Sequence, residues 1–192
     1  MDVYIHGYVS GRLFRKAAGP STEREQGLPM TVSATFIDGL ILSLTPFHNS
    51  CNYRSAVVYG HATPVTDEHE ALYAMKLITD NMLPGRWDGS RIPPSAAELK
   101  STSILKVSVV GGSAKIRTGG PSEDRADLQD KGLREKCWTG AVPYWGTWGE
   151  PVEGKENMCK EVEGYIETWR QRETGKARGY AFDAIGMDGK AE

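Results

Sequence analysis

The sequence is short of several things, and each shortage removes a class of function. Cysteine occurs three times in 192 residues, at Cys51, Cys137 and Cys159, an odd number at wide spacing. That excludes a disulfide framework and any C-x2-C metal knuckle, and a reducing, cytoplasmic setting is expected. Histidine occurs four times (His6, His48, His61, His69) with no H-E-x-x-H pair, so no structural or catalytic metal is expected. No apolar run approaches the roughly 20 residues that a bilayer crossing needs, and the opening "MDVYIHGYVSGR" has neither the charge nor the apolar stretch of a secretory leader. A net charge of -2 and a pI near 6.1 offer no excess of cations for nucleic acid or an anionic membrane. Walker A, dinucleotide-type G-x-G-x-x-G and G-x-S-x-G patterns are all missing.

What remains is 39% hydrophobic and 25% charged, enough for one domain with a sizeable core. Asp2 to His6 alternates as a strand, with Gly7 as its break, and Ser10 to Lys16 can open a helix. "MTVSATFI" and "LILSLT" flank Asp38-Gly39, which predicts a two-residue hairpin turn. On the first arm Thr31, Ser33 and Thr35 place a row of small hydroxyls on one face. "SAVVYGHATPV" reads as a further strand. Leu72, Met75, Ile78 and Met82 then fall at helical spacing, with Asp67 and Glu70 placed as a capping box, and Ser95 with Glu98 repeats that signature. Leu105, Val107 and Val109 alternate as a strand, with Gly111-Gly112 as a turn into "SAKIR". The stretch from Arg117 through "TGGPSEDRADLQDKG" reads as loop, and Val162, Tyr165, Ile166 and Trp169 mark an amphipathic helix before a frayed tail. Strands early and helices late predict a mainly β, α+β protein built on an antiparallel barrel or curved sheet.

Two polar clusters carry chemistry. In "YIHGYVSGR" a strand ends at Gly7, and Ser10 and Arg12 follow where a helix starts. Backbone N–H groups, a hydroxyl and a guanidinium there suit a phosphate, although Gly11 loosens the helix start. In "FHNSCNYRSAVVYG" the polar run enters a strand, so Tyr53 and Ser55 face one way and Asn52 and Arg54 the other. His48 alone reads most simply as a hydrogen-bonded loop residue and Cys51 as a small buried hydrophobe. Trp138, Trp145 and Trp148 can form a lid over a ring system or simply an aromatic-packed loop.

Taken in order, "VYIHGYVSGRL", "FHNSCNYRSAVVYG", "LPGRWD", "SAKIRTGGP" and the shorter "WTGAVP" resemble the pyridoxamine 5′-phosphate oxidase-like split-barrel flavoproteins, in the branch of flavin-nucleotide-binding proteins related to nitroimidazole-resistance reductases. The resemblance implies a six-stranded antiparallel split barrel over residues 1–150 with a C-terminal extension over 151–192. It further implies a homodimer with FMN at the subunit interface. By position, His6, Gly7, Tyr8, Ser10 and Arg12 would hold the phosphate and ribityl chain, and Asn52, Tyr53, Arg54 and Ser55 would lie beside the flavin. Trp138 would approach it from the other subunit, and His48 or Tyr53 would deliver protons. The chain begins where the family has its third strand, so the resemblance lacks the N-terminal strands. A partner subunit would complete the sheet, or the pocket has been remodelled, or the chain is a shortened form of a longer product. The expected function is a flavin-dependent oxidoreductase acting on a small organic molecule. The alternatives are a cofactor-free enzyme using the barrel cavity for a non-redox step and a non-catalytic flavin carrier.

Overall fold

The computed structural model describes residues 1–19 and 27–186; the polar loop expected from Pro20 and the tail beyond Gly186 lie outside them. Five strands form one antiparallel α+β sheet in the order β1-β4-β3-β2-β5, and the sheet is not closed. The strands are β1 (Asp2–Tyr8), β2 (Leu28–Leu42), β3 (Ser50–Pro64), β4 (Thr102–Arg117) and β5 (Gly140–Pro143). The helices are α1 (Arg12–Ala18), α2 (Glu68–Met82), α3 (Ala96–Ser101), α4 (Arg125–Gln129), α5 (Lys131–Lys136) and α6 (Gly164–Asp183). Residues divide into two compact units, Met1–Ser33 with Val57–Ser113, and Ala34–Ala56 with Ala114–Glu192.

In the first unit, β1 pairs antiparallel with β4, Val3 opposite Val107 and Ile5 opposite Leu105. Alternation sends those apolar side chains to one face, where Leu105, Val107, Ala62 and Phe14 form the core with Val3, Ile5, Leu28 and Met30 packed on it. Each fully buried aliphatic there stabilises by about 1.5–3 kcal/mol. Gly7 does not break β1, which continues to Tyr8. A Cβ at Gly7 would lie 2.3 Å from Cε2 of Phe14, so the glycine makes room for the ring that plugs this core. Both capping residues expected from the sequence are in place. The Asp67 carboxylate accepts from the Glu70 backbone N–H, and Ser95 and Glu98 form a reciprocal box. The Glu70 carboxylate, however, is drawn away from its helix: it accepts from the Tyr4 hydroxyl at 2.7 Å and from Lys106 Nζ at 2.9 Å. Those two bonds hold the Glu70 carboxyl below its ordinary range, Lys106 first, and the bond to Glu70, followed by burial, raises the Tyr4 hydroxyl against the opposing charge of Lys106.

Two expectations fail for one reason: local turn residues are overruled by pairing with strands distant in sequence. Asp38-Gly39 is not a hairpin turn, because β2 runs through it without a positive φ. Gly39 pairs instead with Pro143 of β5, and a Cβ there would sit 2.8 Å from the Val142 carbonyl. Gly111-Gly112 likewise lies inside β4, and a Cβ on Gly112 would come within 2.9 Å of the Val57 carbonyl. The segment after Arg117 is not all loop, since α4 and α5 occupy part of it, the second capped by Asp130 accepting from the Leu133 N–H. Only five of the six expected strands are present among the described residues.

Candidate functional site

In the second unit the alternation of β3 turns Asn52 and Arg54 toward α6. Arg54 donates from Nε and Nη2 to the two oxygens of Asp38, at 3.0 and 2.8 Å. Its guanidinium centre lies 3.6 Å from the Tyr180 ring centroid on α6 and 5.1 Å from that of Phe36 on β2. Asp38 is only 3% exposed, so the pairing gives a buried carboxylate the partner that its burial demands. The Asp38 bonds push the Arg54 guanidinium further up, against the opposing effect of burial. The Arg54 side chain is 35% exposed, which limits the pair to about 1–2 kcal/mol; the ring contacts add about 0.5–1 kcal/mol.

Two residues earlier, Asn52 is fully buried and its amide is spent on the protein. Nδ2 donates to the carbonyls of Gly119 at 3.0 Å and Ala184 at 3.1 Å, and Oδ1 accepts from Arg117 Nη1 at 2.6 Å. Gly119, at φ +102, also donates its own N–H to the Ala184 carbonyl. Ala184 lies just past the end of α6, so this knot fastens the helix that carries Tyr180.

The aromatic segment after β5 closes the other side. The Tyr144 N–H donates to the Asp38 carbonyl at 3.0 Å, and the Trp148 N–H to Thr174 Oγ1 on α6 at 3.1 Å. Trp148 packs on Trp169 with ring centroids 4.7 Å apart, and Trp145 on Phe182 at 5.9 Å. Between this segment, β2, Arg54 and α6 lies a groove of about 940 Å³, within the size range of small-molecule sites. Arg54 lines it, and so do Trp145 and Trp148, two of the three tryptophans that the sequence offers as a lid.

The remaining predicted residues of this unit are dispersed. Ser55 Oγ and Thr35 Oγ1 share a hydrogen bond of 3.0 Å, and Lys115 Nζ sits 5.7 Å over the Tyr53 ring. His48 Nε2 is 3.9 Å from Asp124, while its Nδ1 is buried with no hydrogen-bond partner among the described residues. Trp138 is 67% exposed and lies over Gly140, where a Cβ would fall 2.7 Å from the indole. In the first unit, His6, Tyr8, Ser10 and Arg12 are exposed, and Ser10 and Arg12 have no hydrogen-bond or ion-pair partner among the described residues. The turn before α1 therefore presents an unpaired guanidinium and a free hydroxyl on either side of Gly11, beside a cavity of about 450 Å³ bordered by Val9 and the start of α2.

Asp38, Tyr180 and the Tyr144 and Phe36 walls were missed from the sequence. The usable signal was an acidic residue inside a strand and a charged Arg54 on the neighbouring strand, each needing a partner once buried.

Among the described residues no cluster of three or more metal-ligating side chains occurs, and no helix is long and apolar enough to cross a membrane. Similarity to known proteins fits this architecture. The chain is similar to the flavocytochrome Anf3 from Azotobacter vinelandii, 26% identical over 87% of this chain and 72% of that one, with a TM-score of 0.72. A FAD and haem binding protein from Mycobacterium smegmatis, 23% identical over 87% of this chain and 76% of that one, shares the fold at a TM-score of 0.73. No curated protein sequence matches. Residues 1–116 match the model of the pyridoxamine 5′-phosphate oxidase family, and the open antiparallel sheet is that of the split-barrel fold. By that match over more than half its length, the chain belongs to the pyridoxamine 5′-phosphate oxidase family.

Proposed function

We propose that the protein is an FMN-binding, flavin-dependent oxidoreductase acting on a small organic molecule. One observation carries this: the family match over residues 1–116 contains the whole of both polar clusters, His6 to Arg12 and Asn52 to Ser55. The donor set fits the cofactor. The guanidinium of Arg12, without a partner among the described residues, and the hydroxyl of Ser10 are what a phosphate monoester needs, with His6, Gly7 and Tyr8 next to them for the ribityl chain. Tyr53 and Ser55 offer a ring and a hydroxyl along β3, Asn52 and Arg54 act there by holding α6 and the strand in place, and Trp138 would come from a second subunit. Bound flavin supplies hydride or electron transfer; the protein supplies its position and the charge around it. The buried Nδ1 of His48, with no hydrogen-bond partner among the described residues, makes that imidazole a candidate to hold or move a proton, and Tyr53 on β3 is the second.

A homodimer is part of this reading. Leu40, Tyr59, Val110 and Ile116 all stand exposed on strands, and Phe47, next to His48, is 94% exposed, apolar side chains that a second copy would cover. The three unpaired cysteines agree with a cytoplasmic setting. The test is an absorption spectrum of the purified protein before and after incubation with FMN and desalting, with mass analysis of what it releases. Flavin bands in proportion to chain are expected. Colourless protein that retains no added FMN would refute the proposal; released FAD would correct the cofactor, and a Soret band would add a haem.

A further inference from the structure

We infer that the groove between Asp38 and α6 is a ligand seat in its own right, built for a neutral, planar ring compound rather than for an anion. Its lining is rich in aromatic rings: Phe36, Tyr144, Trp145, Trp148 and Tyr180 border a space of about 940 Å³. Those walls are held from behind, Trp148 by Trp169 and Trp145 by Phe182, so the faces are positioned before anything binds, which lowers the cost of ordering them on binding. The charges in the groove are already matched. Arg54 is committed to both oxygens of Asp38 and covered by Tyr180 and Phe36. Lys176 is 3.1 Å from Glu173, which also accepts from Arg172 Nε at 2.9 Å. An anion entering here would find, among the described residues, only cations already paired with carboxylates, and at Arg54 it would compete with the buried charge of Asp38. A flat neutral ring breaks nothing and stacks on two or more aromatic faces. The inference stands on the groove itself and not on the flavin proposal.

Calorimetry on the full chain, freed of any bound small molecule, tests it with four probes: 2-naphthol, its saturated analogue decahydro-2-naphthol, naphthalene-2-sulfonate and FMN. Binding of 2-naphthol is expected to be about tenfold tighter than that of either the saturated or the sulfonated compound, in line with stacking gains of about 1 kcal/mol and the pairing of the groove's described cations. Ala177→Trp, which fills the groove from α6, and Trp148→Ala, which removes a wall, should each weaken 2-naphthol about tenfold while leaving FMN uptake and the far-ultraviolet dichroism unchanged. Equal or tighter binding of the sulfonate overturns the inference, as does 2-naphthol binding that neither substitution weakens. Competition of FMN with 2-naphthol also overturns it, since the groove would then be the flavin's own seat. Binding of 2-naphthol without any uptake of FMN would instead uphold the groove and refute the flavin proposal.

Discussion

Arg12 and Arg54 are the same residue type in opposite physical states. Arg12 stands exposed at the start of α1 with no partner among the described residues. Arg54 gives two hydrogen bonds to one carboxylate and is covered by two rings. A guanidinium whose charge is already met by a carboxylate and whose face is covered by rings has less to offer a ligand's phosphate, whereas one with no partner among the described residues can meet an anion at little desolvation cost. On the two proposals above, the turn before α1 would recognise charge and the groove against α6 would recognise shape and stacking.

The sharpest way to break that contrast is to take away what keeps Arg54 occupied. Asp38→Asn leaves the side-chain shape and one hydrogen-bonding oxygen but removes the buried charge. Breaking a fully buried pair costs about 3–5 kcal/mol; because Arg54 is one-third exposed and can turn toward water, a loss nearer 2 kcal/mol is expected. In urea titration this reads as a lower midpoint at unchanged slope. The freed guanidinium should also give the groove an affinity for naphthalene-2-sulfonate that the parent protein lacks. A variant of full stability that still rejects the sulfonate would mean the Asp38–Arg54 pair does not set the groove's charge preference.

The reciprocal substitution, Arg12→Gln, should leave stability unchanged, since Arg12 has no partner among the described residues to lose. It should weaken FMN by about tenfold or more, because one charge-assisted hydrogen bond to phosphate is worth about 1.5–3 kcal/mol. The discriminating measurement compares FMN with riboflavin, which has no phosphate: Arg12→Gln should weaken the first and spare the second. Equal weakening of both would place Arg12 away from the phosphate.

How much of this was legible in the sequence depended on the range of the interaction. The capping residues Asp67 and Ser95 were readable because both partners lie within one helical turn, and the strand entered at Asn52 was readable because alternation is local. Asp38-Gly39 was misread because its dipeptide preference is local, whereas what holds it straight, β5, arrives about a hundred residues later. Asn52 is marked for a ligand by the polar run and the family resemblance; once buried its amide needs partners, but its type does not say who they are, and they lie 67 and 132 residues away. The three tryptophans were noticed as a possible lid, but only α6, carrying Trp169 and Phe182, makes two of them walls, and Trp138 is not among them.

A third arginine gives the smallest and most exact test, since Arg91 is paired like Arg54 yet exposed like Arg12. Its Nη2 reaches Glu98 at 2.6 and 2.5 Å, and the same carboxylate accepts from the Ser95 N–H and hydroxyl. Arg91 first, then Ser95, holds the Glu98 carboxyl at about 2, below its ordinary 4.5. The ionised form is thus favoured in the folded chain. Its contribution is complete above pH 4.5 and is lost as pH falls from there toward about 2. Thermal unfolding of the parent and Glu98→Gln proteins should therefore show a small gap at neutral pH that narrows across that window. Because both side chains are more than half exposed, salt should narrow it as well. A gap that is constant from pH 7 to the acid side, or indifferent to salt, would mean that Glu98 acts through the packing of its stem alone, and exposure would then have to be dropped as the property that separates a weak arginine pair from a strong one.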